Sequence, residues 1–361
     1  MFYGQLVIGS PGSGKSTYCH TIQQYYHKLH RQLILINFDP GNELIQYTPD
    51  INIVELITLN DVQTKYNLGP NGSLLYCMEF IEHNIQWLIN KIQQCISNNK
   101  SNTYYLNKYN QLSPPYILID MPGQIELYTH HRSLYNIIHN TQLWSQLSSG
   151  GVSYTCIHCC DSTYINDITQ YISMTLLALN AMVAMELPHV NVLTKFDLLI
   201  KTSPKQLLHQ LEVYIDCIDI KQLIQSSIHN QSISNRYHKL TDAVCELVDD
   251  YSLVNYLPLD ITNNKSIINI IKHIDKSNGY IWLDEYDTTD ENMTHRLLNS
   301  ISTSNNQSNI QQYINEHYDN DDEDGGIIDS DDELWSREQH AQAQAAAKQV
   351  IQECANQGKS K

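Results

Sequence analysis

The apolar stretch Leu6-Val7-Ile8 runs straight into Gly9-Ser10-Pro11-Gly12-Ser13-Gly14-Lys15-Ser16. No other segment limits the fold as strongly. The spacing G-x-x-x-x-G-K-S is complete, and the motif needs a strand before it and a helix after it. Both are legible. Leu6-Val7-Ile8 reads as the strand, and Tyr18, Ile22, Tyr25, Tyr26 and Leu29 recur at helical spacing beyond the loop. Such glycines let backbone amides turn inward around phosphates at the positive end of the helix. The expected nucleotide-contacting set is Gly9, Pro11, Gly12, Ser13, Gly14, Lys15, Ser16 and Thr17. Lys15 is expected on the β/γ-phosphates and Ser16 on Mg²⁺.

Further strands follow at Leu33–Asn37, Tyr116–Asp120, residues 152–157, residues 190–193 and residues 256–259. Between them lie helical patterns: one long seam (Leu74, Met78, Ile81, Ile85, Leu88, Ile92), one from about Asp167 to Leu187, and one from Lys265 to about Lys276. Strands alternating with helices imply an α/β fold, a doubly wound and mostly parallel sheet. Residues 97–113, rich in Ser, Asn and Tyr, read as a surface insertion, and 203–252 as a helical one. The expected organisation is a domain over 1–280 and a largely disordered acidic tail over 281–361.

Charge sets the tail apart. Of the net −17, residues 281–361 carry 17 acids and 5 bases, a net of −12. Residues 1–280 carry 22 acids and 17 bases, a net of −5. Neither part has a basic nucleic-acid footprint, so no direct nucleic-acid contact is expected. The longest uncharged apolar run, Tyr171 to Met185, falls short of a membrane span and reads as a buried helix. No apolar signal segment precedes the P-loop, so the nine cysteines are expected as reduced thiols in the cytosol or nucleus. Cys156-Ile157-His158-Cys159-Cys160 invites a metal reading, but neighbours on a strand point to opposite faces, and a buried central strand accounts for it better.

Three constellations carry chemistry. Asp120-Met121-Pro122-Gly123-Gln124 ends a strand, where Asp120 can hold Mg²⁺ through water, the Gly123 amide can sense the γ-phosphate, and Gln124 can orient a water. Thr194-Lys195-Phe196-Asp197 follows the next strand but one. A carboxylate there can accept from guanine N1 and the exocyclic amine, and Lys195 can lay its stem over the base. Asp39, in Asn37-Phe38-Asp39-Pro40-Gly41-Asn42-Glu43, lies where a carboxylate can take a proton from water or hold the metal's water shell. Ser16, Asp39 and Asp120 are thus the expected metal-side residues.

With these blocks in order, GSPGSGKST (9–17), NFDPGNE (37–43), GPNGSLLYCMEF (69–80), DMPGQIEL (120–127), ELPHVNVLTKFDLL (186–199) and YLPLDI (256–261), the chain resembles the GPN-loop GTPases, over roughly residues 3 to 280. The wording looks most like the second of their three eukaryotic paralogues. The resemblance implies a GTP/GDP- and Mg²⁺-dependent dimer, homodimeric or paired with a paralogue. In it Asn71 of Gly69-Pro70-Asn71 reaches the partner's active site, Gln124 and Glu126 hold the water relay, and Asp39 is the base. Thr194 stands where the family often has Ser. The resemblance also implies RNA polymerase II and III subunits or assembly factors as partners, and a cytoplasmic location with nuclear shuttling left open. No membrane partner is expected. Two rivals stand beside it. A P-loop nucleoside or polynucleotide kinase needs a basic acceptor groove, which 22 unclustered Lys and Arg do not supply. A non-hydrolysing scaffold stabilised by nucleotide stays open, and Arg132 is the one weak arginine-finger position.

Overall fold

A computed structural model describes residues 2–29, 31–42, 45–99, 115–148, 150–202, 211–217, 243–248 and 254–280. The expected tail and most of both insertions lie outside these residues. Among these residues seven strands form one sheet: β1 (Phe2–Gly9), β2 (Leu33–Asn37), β3 (Ile51–Asn52), β4 (Tyr116–Asp120), β5 (Val152–Asp161), β6 (His189–Thr194) and β7 (Tyr256–Pro258). Their spatial order is β3-β2-β4-β1-β5-β6-β7, and every pairing is parallel. The sheet is therefore wholly, not mostly, parallel among the described strands. β1 sits at its centre, and the chain leaves it first toward β2 and later returns to add β5 on its other side. Ligands of such sheets bind outside the carboxyl ends of the strands, at that reversal. Gly9, Asn37, Asp120, Asp161, Thr194 and Pro258 all end their strands at this one edge.

Helices cover both faces. One face carries α1 (Lys15–Lys28) and the closing helix Asn264–Asn278, packed through Tyr18, Ile22 and Tyr26 and through Ile267, Ile270, Ile271 and Ile274. The other carries α2 (Leu59–Tyr66), α3 (Pro70–His83), α4 (Ile85–Asn99), the short helices α5 (Glu126–Thr129), α6 (Ser133–His139) and α7 (Thr141–Trp144), and α8 (Ile168–Met185). The seam from Leu74 to Ile92 is buried throughout, but it spans two helices rather than one. Asn84 breaks it. Its φ/ψ of −108/24 leaves the helical well, and its side-chain amide donates back to Phe80 O at 2.8 Å. A short side chain that bonds local backbone is a poor helix interior residue and a good terminus. α8 begins three residues before the apolar run from Tyr171, so, contrary to expectation, it is long and apolar enough to cross a membrane by length and composition. Here Tyr171, Met174, Ala178 and Ala181 are buried, and the Tyr171 hydroxyl donates to Tyr214 O at 2.8 Å.

Two buried polar clusters lock the α1 face. Gln5, fully buried in β1, donates to the hydroxyls of Tyr26 (2.8 Å) and Tyr116 (3.0 Å) and accepts from Tyr18 (2.9 Å). Arg31 pairs with Asp275 in two hydrogen bonds, the shorter at 2.5 Å, and its guanidinium lies 4.7 and 4.4 Å from the rings of Tyr26 and Tyr280. A buried ion pair survives desolvation only with such complete bonding.

Candidate functional site

The loop between β1 and α1 begins where Gly9 leaves the sheet with φ +146. A Cβ there would overlap the carbonyl oxygen of Cys159 on β5, so only glycine lets the loop start so close to the neighbouring strand. Lys15 is buried and its Nζ donates to Gly9 O (3.1 Å) and Ser10 O (3.0 Å), folding the loop back over its own ammonium. Thr194 Oγ1, from the end of β6, donates to Ser13 O at 2.7 Å and ties the guanine-type segment to the P-loop. Gly123 closes the site from the far side: a Cβ on it would stand 3.0 Å from Pro11 Cα and 3.1 Å from Lys15 Nζ.

Ser16 and Asp120 meet as expected. Ser16 Oγ donates to Asp120 Oδ2 at 2.9 Å. Tyr47, which sequence reasoning did not single out, donates to the same oxygen at 2.7 Å. The other oxygen, Oδ1, is buried without a hydrogen-bond partner. Burial raises the Asp120 carboxyl above its usual range, although Tyr47, Ser16 and Lys15 pull the other way. A hydroxyl beside a carboxylate with one orphaned oxygen fits Mg²⁺. Among the described residues no three acids, histidines or cysteines cluster, so a cation here would draw most of its oxygens from phosphate and water, as Mg²⁺ does.

Asp39 follows β2, half-buried, with Oδ1 accepting from Gly41 N at 2.9 Å. Burial raises its carboxyl, against the Gly41 amide and Lys15, which moves it toward the range of a working base. Asn37 shapes this turn: its Nδ2 bonds Asn52 Oδ1 (3.0 Å) and its Oδ1 accepts from Asp39 N (3.3 Å). Gly69 is the N-cap of α3 and Pro70 its first residue, so the tripeptide is a helix start and not a free turn. Asn71 is exposed, and its Oδ1 accepts from Gln124 Nε2 of the same chain at 2.9 Å. Gln124, expected to orient a water, and Asn71, expected in the partner's site, are thus brought together within one chain. Glu126 is not brought in: it opens α5, exposed and without a side-chain hydrogen bond among the described residues. Arg132, just before α6, is exposed as well.

At the β6 end, Lys195 adopts a left-handed φ of +56, and its Nζ donates to Asp161 Oδ2 at 2.6 Å. Burial raises the Asp161 carboxyl, but Lys195 and the hydroxyl and amide of Thr163 outweigh burial and hold it low. Asp161 escaped sequence reasoning because only the β5–β6 pairing, Asp161 beside Thr194, places it there. Asp197 lies half-buried in the first turn of α9 (Phe196–Thr202), with no hydrogen-bond partner among the described residues. The β5 cysteines do not converge on one point. Cys156 and Cys159 stand three apart, which on a strand means opposite faces, and they fall in the two different cores. Burial pushes the Cys159 thiol up to about 12.

The parallel sheet with its site at the β1 reversal defines a P-loop nucleotide-binding protein. A family model described as a conserved hypothetical ATP binding protein matches residues 7–280. The GPN-loop GTPase 2 homolog of Dictyostelium discoideum is 37% identical over 331 residues, 92% of this chain and 96% of that protein. The GPN-loop GTPase 2 of Danio rerio is 38% identical over 285 residues, 78% of this chain and 82% of that protein. An apo GTPase from Pyrococcus abyssi shares the fold with a TM-score of 0.54 at 17% identity, covering 76% of this chain and 97% of that one. The chain belongs to the GPN-loop GTPase family, on the side of its second paralogue.

Proposed function

We propose that this chain binds GTP and hydrolyses it to GDP and phosphate, as a switch working in pairs. The observation that carries the reading is convergence at one sheet edge: P-loop, Ser16–Asp120, Asn71–Gln124 and the carboxylate of Asp197. Lys15 and the loop amides hold the β- and γ-phosphates. Ser16, Asp120 and Asp39 would hold Mg²⁺, which would supply charge neutralisation when bound. Gln124 and Asn71 position the attacking water, and Asp39 takes its proton. Asp197 accepts two hydrogens from guanine, while Lys195, steadied by Asp161, lies along the base. Adenine offers no such donor pair, so the reading favours GTP over the ATP of the family model's description.

The same reading pairs two chains, identical or paralogous, with Asn71 of each serving the other's phosphate site. The exposure of Asn71, with Tyr66 and Leu68 45% and 40% exposed close by in sequence, supports it. The proposed cellular role is assembly of RNA polymerase II, with III left open, in the cytoplasm ahead of nuclear import, and it rests on family membership alone. Direct titration with GTP, GDP and ATP in Mg²⁺ tests the nucleotide reading. GTP binding at least tenfold tighter than ATP is expected; equal affinities refute it.

A further inference from the structure

We propose that Tyr47 is a positioning residue of the phosphate site: it clamps one oxygen of Asp120 so that the other is presented to what Ser16 and Lys15 hold. The proposal rests on the nucleotide reading above. Tyr47 lies between β2 and β3, 5% exposed, with its ring in the α1-side core. Its hydroxyl and that of Ser16 both donate to Asp120 Oδ2, at 2.7 and 2.9 Å. Two donors on one oxygen fix the carboxylate's rotation, and Oδ1 stays buried and unpaired. An unpaired buried carboxylate oxygen is costly, and with no clamp the group would turn to share its donors. Ser16 cannot be the whole clamp, because its oxygen is also the expected cation ligand. Tyr47 has no such second duty.

The segment bearing Tyr47 is itself anchored. Gln46 Oε1 accepts from Thr17 Oγ1 at 3.4 Å, Gln23 Nε2 donates to Thr48 O at 2.9 Å, and Leu35 N donates to Asp50 Oδ2 at 2.7 Å. Asp39 lies on the same connection, so Tyr47 also links the base's loop to the metal-side carboxylate. A hydroxyl that only satisfied a buried acid would affect melting and nothing else. A positioning hydroxyl must change how the site answers Mg²⁺, since removing a partner that orients a ligand typically weakens metal affinity about 10–100-fold.

The test is Tyr47→Phe in the full chain, with Tyr47→Met as a second variant filling the same seat. Melting without nucleotide first establishes that each is folded. Mg²⁺ is then titrated against binding of a non-hydrolysable GTP analogue, and analogue affinity is measured separately in EDTA. The expected result is a Mg²⁺ midpoint raised about tenfold, with EDTA affinity unchanged. Tyr47→Phe added to Asp120→Asn should cause no further loss, because Tyr47 acts through Asp120. A wild-type midpoint in a folded variant, or additive losses in the double variant, overturns the proposal. A wild type that binds the analogue with no Mg²⁺ dependence, or not at all, fails the nucleotide reading instead.

Discussion

Asn71→Ala separates two uses of one side chain. Asn71 is exposed and its side chain accepts from Gln124 at 2.9 Å, so its loss opens no cavity and should change stability by less than about 0.5 kcal/mol. GTP affinity should hold, because Lys15, Ser16 and the loop amides are untouched. Hydrolysis should slow about 10²-fold, the scale of losing one group that orients the reacting atoms, or about 2.7 kcal/mol of barrier. The geometry within one chain allows this loss to arise in cis, through Gln124, and the pairing proposal requires it to arise in trans. Mixing decides. Asn71→Ala chains, slowed as above, and Lys15→Ala chains, inactive alone, are combined in equal amounts and allowed to exchange. With random pairing about half the dimers are mixed, and each has one site with an intact P-loop and a partner's intact Asn71. Single-turnover phosphate release should recover to about one quarter of the wild-type amplitude. No recovery, with mixed dimers demonstrated by native mass spectrometry, refutes the trans use and leaves the Asn71–Gln124 contact as the working one.

Four further outcomes follow from particular residues and segments. Asp197→Asn should cut GTP preference by about 1–3 kcal/mol and raise affinity for xanthine nucleotide, read by competitive titration. A chain ending at Tyr280 should melt as the full chain does, whereas Arg31→Ala should cost about 3–5 kcal/mol in denaturant unfolding, because Asp275 would be left charged and buried. Burial lowers His158 to about 4 and His189 to about 3. Below the ordinary histidine value the unfolded chain takes up protons that the folded chain refuses, so stability is full above pH ~6.5 and falls as pH drops toward the folded values. Denaturant midpoints taken from pH 7 to 4.5 should show this decline, and His158→Gln should flatten it.

Elements buried on both faces were the most legible. Leu33–Asn37 and Tyr116–Asp120 are continuous apolar runs, and both are strands with those bounds. β5 reaches Asp161, one residue past the Cys156–Cys160 run read as a buried central strand, and its pairing with β6 carries that last step. The α3–α4 break hid because the apolar spacing continues across Asn84. In the site, residues carried by motifs at strand ends were legible, since a parallel sheet brings those ends to one edge whatever lies between. Tyr47, Asn37 and Asp161 were not. Each works through a contact set by sheet order, and none has a spacing that marks it. The pairing of Asn71 with Gln124, 53 residues apart, also needed the fold, since α3 must lie beside the loop after β4.

The most direct test of the account is single-turnover release of phosphate from GTP by the purified full chain in Mg²⁺, beside Lys15→Ala. Lys15, buried in the loop it folds back on, is the P-loop's own cation, placed to meet the phosphates from inside. Slow, stoichiometric phosphate release by the wild type, lost with Lys15→Ala, is the predicted result. GTP bound by the wild type but left intact, or a rate that survives Lys15→Ala, contradicts it.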